Sequence, residues 1–204
     1  MKIILASSSS YRQSILKKLH ISFTCVAPNI DESPVLNETI SEQVARLAKY
    51  KALAIATQES HINSYVIGSD QLASFNGKIL GKPGNFDNAK QQLSLFSGQT
   101  VRFHTGLCLV HSVSDQLIQV VETFDVTFKV LTVKQISTYL QIEKPYDCAG
   151  SFKCEGLGIA LFESLDGRDP NTLIGLPLIA LIDLFNGMSV DLFEHMHLES
   201  ELNV

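Results

Sequence analysis

Lys2-Ile3-Ile4-Leu5-Ala6-Ser7-Ser8-Ser9-Ser10-Tyr11-Arg12 decides the fold class of this chain. Lys2 to Ala6 reads as a short buried strand, and Ser7 to Ser10 as a polar turn able to cap a helix from Tyr11 to about Leu19. A strand that passes through a tight turn into a helix is the opening unit of an α/β protein. The turn also leaves backbone N–H groups free at a helix start, where the dipole favours an anion, with Arg12 close by. Two readings stand here: a phosphate cradle, or ordinary serine capping beside a surface arginine. Neither a Walker A sequence nor G-x-G-x-x-G is present to choose between them.

Outward from this unit the pattern stays mixed. Ser22 to Ala27 predicts a second strand, Pro28 to Thr39 a loop, and Ser41 to about Gln58 a long helix. Tyr65 to Ile67 is a short apolar strand ending in Gly68-Ser69-Asp70-Gln71. Asn76-Gly77 between Leu72-Ala73-Ser74-Phe75 and Lys78-Ile79-Leu80 is a hairpin signal. Helical spacing covers Asp87 to Phe96, and Thr132 caps another helix to about Ile142. Between them, Val101 to Val113 and Leu117 to Val130 predict an antiparallel pair turning at Ser114-Asp115. Asp147 to Phe162, rich in small residues, reads as a site-forming loop followed by a strand at Leu157 to Phe162. A last apolar helix lies near Leu178, and the tail from Met188 has little pattern. No repeat or linker divides the chain, so residues 1–204 read as a single domain.

With 204 residues, 45% hydrophobic and 18% charged, the chain has enough apolar surface for a substantial core. A net charge of −5 speaks against a nucleic-acid polymer as partner, while leaving room for a local basic pocket. Cys25, Cys108, Cys148 and Cys154 form no C-x-x-C pair and read as free thiols of a reducing compartment, which argues against zinc. The apolar run at the start stops at Ala6, short of a signal peptide, and no stretch is long enough to span a membrane. The expected setting is the cytoplasm.

Certain residues stand out chemically. Val44, Leu47, Ala48, Ala52 and Ile55 draw an apolar stripe along the long helix, and Lys51 lies in its middle. An unpaired buried ammonium costs several kcal/mol, so Lys51 must snorkel out, find a carboxylate, or face an anion-filled cleft. Asp70 follows an apolar strand, at the carboxyl-end position where α/β proteins build sites. It could hold a divalent cation or deprotonate water, or simply cap a turn. Asp31-Glu32, Lys82 and Glu155 are ionisable groups in predicted loops, and together they match the needs of a metal–triphosphate complex. His104 reads as a structural histidine, His195 and His197 fall in the tail, and Arg168-Asp169-Pro170-Asn171 reads as a polar turn. None of these is assigned to catalysis.

The sequence resembles the Maf-like nucleotide pyrophosphatases to about Phe185. The resemblance rests on Leu5-Ala6-Ser7-Ser8-Ser9 with Arg12, Asp31-Glu32, Lys51-Ala52, Gly68-Ser69-Asp70, Gly81-Lys82-Pro83, Thr105-Gly106, Ala149-Gly150, Glu155-Gly156-Leu157-Gly158 and Gly175-Leu176-Pro177. It implies a two-lobed mixed-sheet α/β fold with a central cleft, of the inosine-triphosphatase type. It also implies hydrolysis between the α and β phosphates of a nucleoside triphosphate, a divalent cation (magnesium, manganese or cobalt), and a homodimer. Asp70 matches the proton acceptor. Ser9, Arg12, Lys51 and Lys82 match phosphate-binding positions, and Glu32 with Asp70 the metal positions.

Tyr11, Gln71 and Glu155 stand at the specificity positions and look like the branch that acts on 7-methyl-GTP. The alternatives are the dTTP/UTP branch, or a nucleotide-binding regulator of cell division and septum formation without useful turnover. N7-methylguanine is cationic, so an aromatic face can stack on it while a carboxylate accepts from its N–H edge. Ser10, Gln13, Cys154 and Tyr11 depart from the commonest family pattern, which has proline, arginine, serine and tryptophan there. The change at 13 bears on phosphate affinity, and those at 11 and 154 on base preference.

Overall fold

The structure, a computed structural model, describes residues 1–114 and 116–197. Asp115 of the expected turn and the tail beyond 197 lie outside the described residues. The strands are β1 (Ile3–Leu5), β2 (Thr24–Cys25), β3 (Tyr65–Phe75), β4 (Lys78–Leu80), β5 (Thr100–His111), β6 (Leu117–Phe128) and β7 (Phe162–Asp166). The helices are α1 (Ser10–Leu16), α2 (Ile40–Ala56), α3 (Phe86–Phe96), α4 (Val133–Glu143) and α5 (Leu178–Gly187). The strands form one seven-stranded mixed sheet in the order β2-β1-β3-β5-β6-β7, with β4 added to β3. β1 runs parallel to β2 and β3, and the other pairings are antiparallel.

Three cores occupy the sheet faces. Ile3, Leu5, Ile67, Leu107 and Leu109 pack under α1 and α5. On the opposite face Ile4, Val66, Cys108 and Val110 meet the Ala48–Ala52–Ile55 stripe of α2. Farther along the long strands, Phe103, Phe124, Val126 and Phe128 pack with α3, α4, Phe152 and Phe162. The opposed sides of β1 and β3 follow from the period of two in a strand: neighbours in sequence face different helices.

The helix starts were largely legible. Thr39 and Glu42 form a capping box on α2, Thr132 and Gln135 another on α4, and Asn85 caps α3. Helix α1 is shorter than the expected Tyr11–Leu19 segment, because Lys17–Leu19 tightens into a 3-10 turn. Only Thr24–Cys25 of the second predicted strand pairs.

Three expectations are corrected. Tyr65–Ile67 is not a strand that stops at Gly68; β3 continues through Ser69, Asp70 and Gln71 to Phe75. These polar residues belong in the strand because tertiary partners bind their side chains. The strand expected at Leu157–Phe162 is a 3-10 helix at Leu157–Leu161, and pairing starts at Phe162. The described part of the tail is built: Leu192 is buried, and Met196 forms a bridge with Ile21.

The register of β3 opens the sheet. Residues Tyr65–Ile67 pair with β1, and Ala73–Phe75 with β4 on the same side. Residues 68–72 have no strand partner there, while on the other side β3 pairs with β5 along its length. This gap, beyond the end of β1, joins the α2 face of the sheet to the α1/α5 face.

Candidate active site

Helix α2 reaches the gap because two glycines remove obstacles. A Cβ on Gly68 would lie 2.1 Å from the Ala48 carbonyl oxygen, and one on Gly106 would lie 2.1 Å from that of Val44. With both positions bare, the helix backbone rests directly on β3 and β5. Lys51, one turn beyond Ala48, then lies against Asp70, which is in register with Gly106.

Lys51 is 7% exposed, and its ammonium touches two carboxylates, Asp70 Oδ1 at 2.6 Å and Glu32 Oε1 at 2.8 Å. Of the three fates open to this lysine, it finds carboxylates. Asp70 is itself 6% exposed, and burial pushes its carboxyl above the ordinary aspartate range, while the charges of Lys51 and Arg12 pull the other way. Glu32 is different: its side chain is 59% exposed and reaches in from the loop before α2. That loop is held by Arg46, whose guanidinium donates to both oxygens of Glu38 at 2.6 and 2.7 Å and to the Ser33 carbonyl at 3.2 Å. Nothing in the sequence marked Arg46 for this task.

The other expected residues gather on the α1/α5 side. Ser9, Tyr11, Arg12, Gln71, Lys82 and Glu155 all line one cavity of about 280 Å³. Asp70 and Gln71, adjacent in a strand, point to opposite faces, so the expected site falls into two groups across the gap. Arg12 links them: burial lowers its pKa, and Asp70 and Glu32 are the charges that oppose the shift.

The segment after Asp169 anchors the cavity. Asp169 is buried and accepts from the backbone N–H groups of Asn171 and Ile179, which ties a 3-10 helix at Pro170–Ile174 to the start of α5. At its end the Gly175 carbonyl accepts from Arg12 Nε at 2.9 Å and from Ser69 Oγ at 2.7 Å. The polar turn read at Arg168–Asn171 is therefore a positioning element. Ser9 Oγ accepts from the Arg12 backbone N–H at 3.4 Å, so the capping reading of this serine is realised. Helix α1 has only 7 residues, and the weight of its dipole argument falls accordingly.

Asp147 and Glu155 line the cavity together with Tyr11. Burial raises the Tyr11 phenol, Cys148 and the two carboxylates add to the shift, and Lys153 opposes it. The thiols of Cys148 and Cys154 donate to the adjoining Asp147 and Glu155 at 3.5 Å each. Burial first, then these carboxylates, push both thiols up to about 12, so they stay protonated at neutral pH. Cys154, which departs from the family pattern, thus acts as a weak donor to Glu155. His104 is a structural residue as expected, bridging Ser41 and Ser74.

A mixed sheet interrupted beside a buried lysine–carboxylate cluster places the chain among the mixed-sheet α/β proteins. The solved structure of the Staphylococcus aureus Ham1 protein has the same fold. It aligns with a TM-score of 0.50 at 14% identity, covering 92% of this chain and 100% of that one. Within that fold the chain belongs to the Maf-like protein family, whose pattern matches residues 2–188. Among its relatives, the 7-methyl-GTP pyrophosphatase of Pseudoalteromonas atlantica is 58% identical, over 96% of this chain and all of its own length. The proteins of that name from Pseudoalteromonas translucida and Idiomarina loihiensis are 54% and 50% identical, over 93% and 90% of this chain and 93% of each relative. Among the described residues no helix is long and apolar enough to cross a membrane.

Proposed function

We propose that this chain hydrolyses the α–β phosphoanhydride of 7-methyl-GTP, releasing 7-methyl-GMP and pyrophosphate, and so removes a modified nucleotide. The observation that carries the reading is the buried meeting of Lys51, Asp70 and Glu32 at the gap in the sheet, next to a cavity lined by Tyr11, Asp147 and Glu155. The names of the relatives above support the same base.

Asp70 and Glu32 both reach one point, the Lys51 ammonium, so they can share an ion brought in with a triphosphate. Among the described residues no cluster of three or more His, Cys, Asp or Glu side chains is arranged to hold an ion. Two carboxylates completed by phosphate oxygens and water suit magnesium, which seldom uses an all-protein cage. When bound, a divalent cation would supply charge neutralisation and Lewis acidity at the phosphates.

The chain's own groups do the remaining work. Lys51, Arg12, Lys82 and Ser9 hold the triphosphate. A water between Asp70 and the α-phosphorus loses its proton to an Asp70 carboxylate oxygen as its own oxygen bonds to phosphorus. The bridging P–O bond to the β-phosphate breaks and pyrophosphate leaves. Tyr11 stacks on the cationic base, and Glu155 accepts from its N–H edge. A single two-lobed catalytic domain, a choice among magnesium, manganese and cobalt, and a homodimer belong to this reading as implications of the family, and a cytoplasmic setting belongs to it through the free thiols.

Product analysis tests the reaction. With 7-methyl-GTP and magnesium, 7-methyl-GMP and pyrophosphate are expected in equal amounts. Orthophosphate with 7-methyl-GDP would show cleavage at the other anhydride and overturn the assignment.

A further inference from the structure

Gln71 offers the cavity an oxygen, and the structure fixes why. Its Nε2 donates to Thr105 Oγ1 at 3.0 Å and to the Thr172 carbonyl oxygen. Thr105 Oγ1 donates its own proton to that same carbonyl at 3.1 Å, so its oxygen is the acceptor toward Gln71. The orientation of an amide is normally inferred from its surroundings, and here both neighbours accept. A flipped amide would set Oε1 against the Thr172 carbonyl oxygen. Both hydrogens of Nε2 are therefore engaged by protein, and Oε1 has no protein partner among the described residues.

Thr105 is fully buried in β5, opposite Gln71 in the strand register. The carboxylates of Asp147 and Glu155 line the same cavity and, when ionised, accept only. We propose that Thr105 is a specificity-positioning residue: its hydroxyl locks the Gln71 amide with Oε1 toward the ligand, adding an acceptor for a donor-edged, cationic base to a cavity that two carboxylates also line. The proposal rests on the base reading given above. An N7-methylguanine presents N1–H and the exocyclic N–H groups as adjacent donors, whereas uracil and thymine present a single N3–H donor between two carbonyl oxygens, which the acceptors repel. Thr172 contributes only its backbone carbonyl, which no side-chain substitution removes, so the test falls on Thr105.

Thr105→Val keeps the shape and the strand preference but removes one of the two acceptors that orient the amide, leaving the Thr172 carbonyl to hold it alone and loosening the presentation of Oε1 to the base. The ratio of kcat/KM for 7-methyl-GTP to that for UTP is expected to fall about tenfold, the scale of one buried hydrogen bond lost or mispaired. Thr105→Ser, which restores the hydroxyl, is expected to recover most of it. General damage to the fold would lower both substrates together and leave the ratio alone. In the unsubstituted protein, the Gln71 side-chain amide protons should exchange with solvent more slowly than those of exposed Gln91 and Gln99, which NMR reads without any variant. An unchanged ratio in Thr105→Val, a serine variant as impaired as the valine one, or fast exchange at Gln71 overturns the lock. A preference of the unsubstituted protein for UTP overturns the base reading itself, and the role of Thr105 with it.

Discussion

Replacing Asp70 by asparagine is expected to cut pyrophosphate release by about 10³-fold or more while leaving the fold intact. The size follows from removing a general base, roughly 10²–10⁴-fold, together with one of two carboxylates placed to share an ion. The fold survives because Lys51 keeps Glu32 at 2.8 Å and is not left buried without a counter-charge. Stability should not fall at neutral pH, by the following sign. Burial raises the Asp70 carboxyl in the folded protein. Its contribution is therefore most favourable below the unfolded value of about 3.9, and is lost as pH rises through the folded value. A neutral asparagine lacks that loss. Kinetics and a thermal melt of the same sample check both parts, and a variant with unchanged turnover would remove Asp70 from the chemistry.

Gly68→Ala is expected to be strongly damaging at the contact between α2 and β3. Its Cβ would meet the Ala48 carbonyl oxygen at 2.1 Å and the Ala52 nitrogen at 2.7 Å, both main-chain atoms of α2. No side chain can rotate away, so the helix must lift from β3. Overpacking of this kind costs about 3 kcal/mol or more. For a chain of this size that lowers Tm by roughly 10 °C, at about 2–4 °C per kcal/mol. Lifting α2 also draws Lys51 away from Asp70, so turnover should drop in the protein that remains folded. Gly81→Ala is the control, because a Cβ there meets nothing within 4 Å. Its melt should match that of the unsubstituted protein, and equal Tm values for both variants would contradict the close-approach account.

What the sequence revealed and what it hid follow from contact distance along the chain. The opening strand, turn and helix, the threonine cap of α4 and the Asn76-Gly77 hairpin are written in a few adjacent residues, and the structure contains them. Lys51 was conspicuous because a charge interrupted a local apolar stripe. The partners that keep Ser69, Asp70 and Gln71 inside a strand come from α2 and from the 170–175 segment, far off in sequence, so a polar run looked like a turn. Arg12 and Gly175 are 163 residues apart, and no local periodicity announces such a contact. The two-sided layout of the site was hidden for another reason. It depends on where β1 and β4 stop pairing with β3, a register that no single segment carries. Thr105 and Gly175 stood in family signatures, but signatures alone gave them no task; the hydrogen bonds did.

The proposed activity is cleavage of nucleoside triphosphates with a preference for a cationic guanine. Initial rates of pyrophosphate release with 7-methyl-GTP, GTP, UTP and dTTP, at equal subsaturating concentration with magnesium, test it most directly. The account predicts the highest rate with 7-methyl-GTP, and a lower rate with GTP, which lacks the positive charge that Tyr11, Asp147 and Glu155 would recognise. A higher rate with UTP or dTTP, or no release from any of the four, would contradict it.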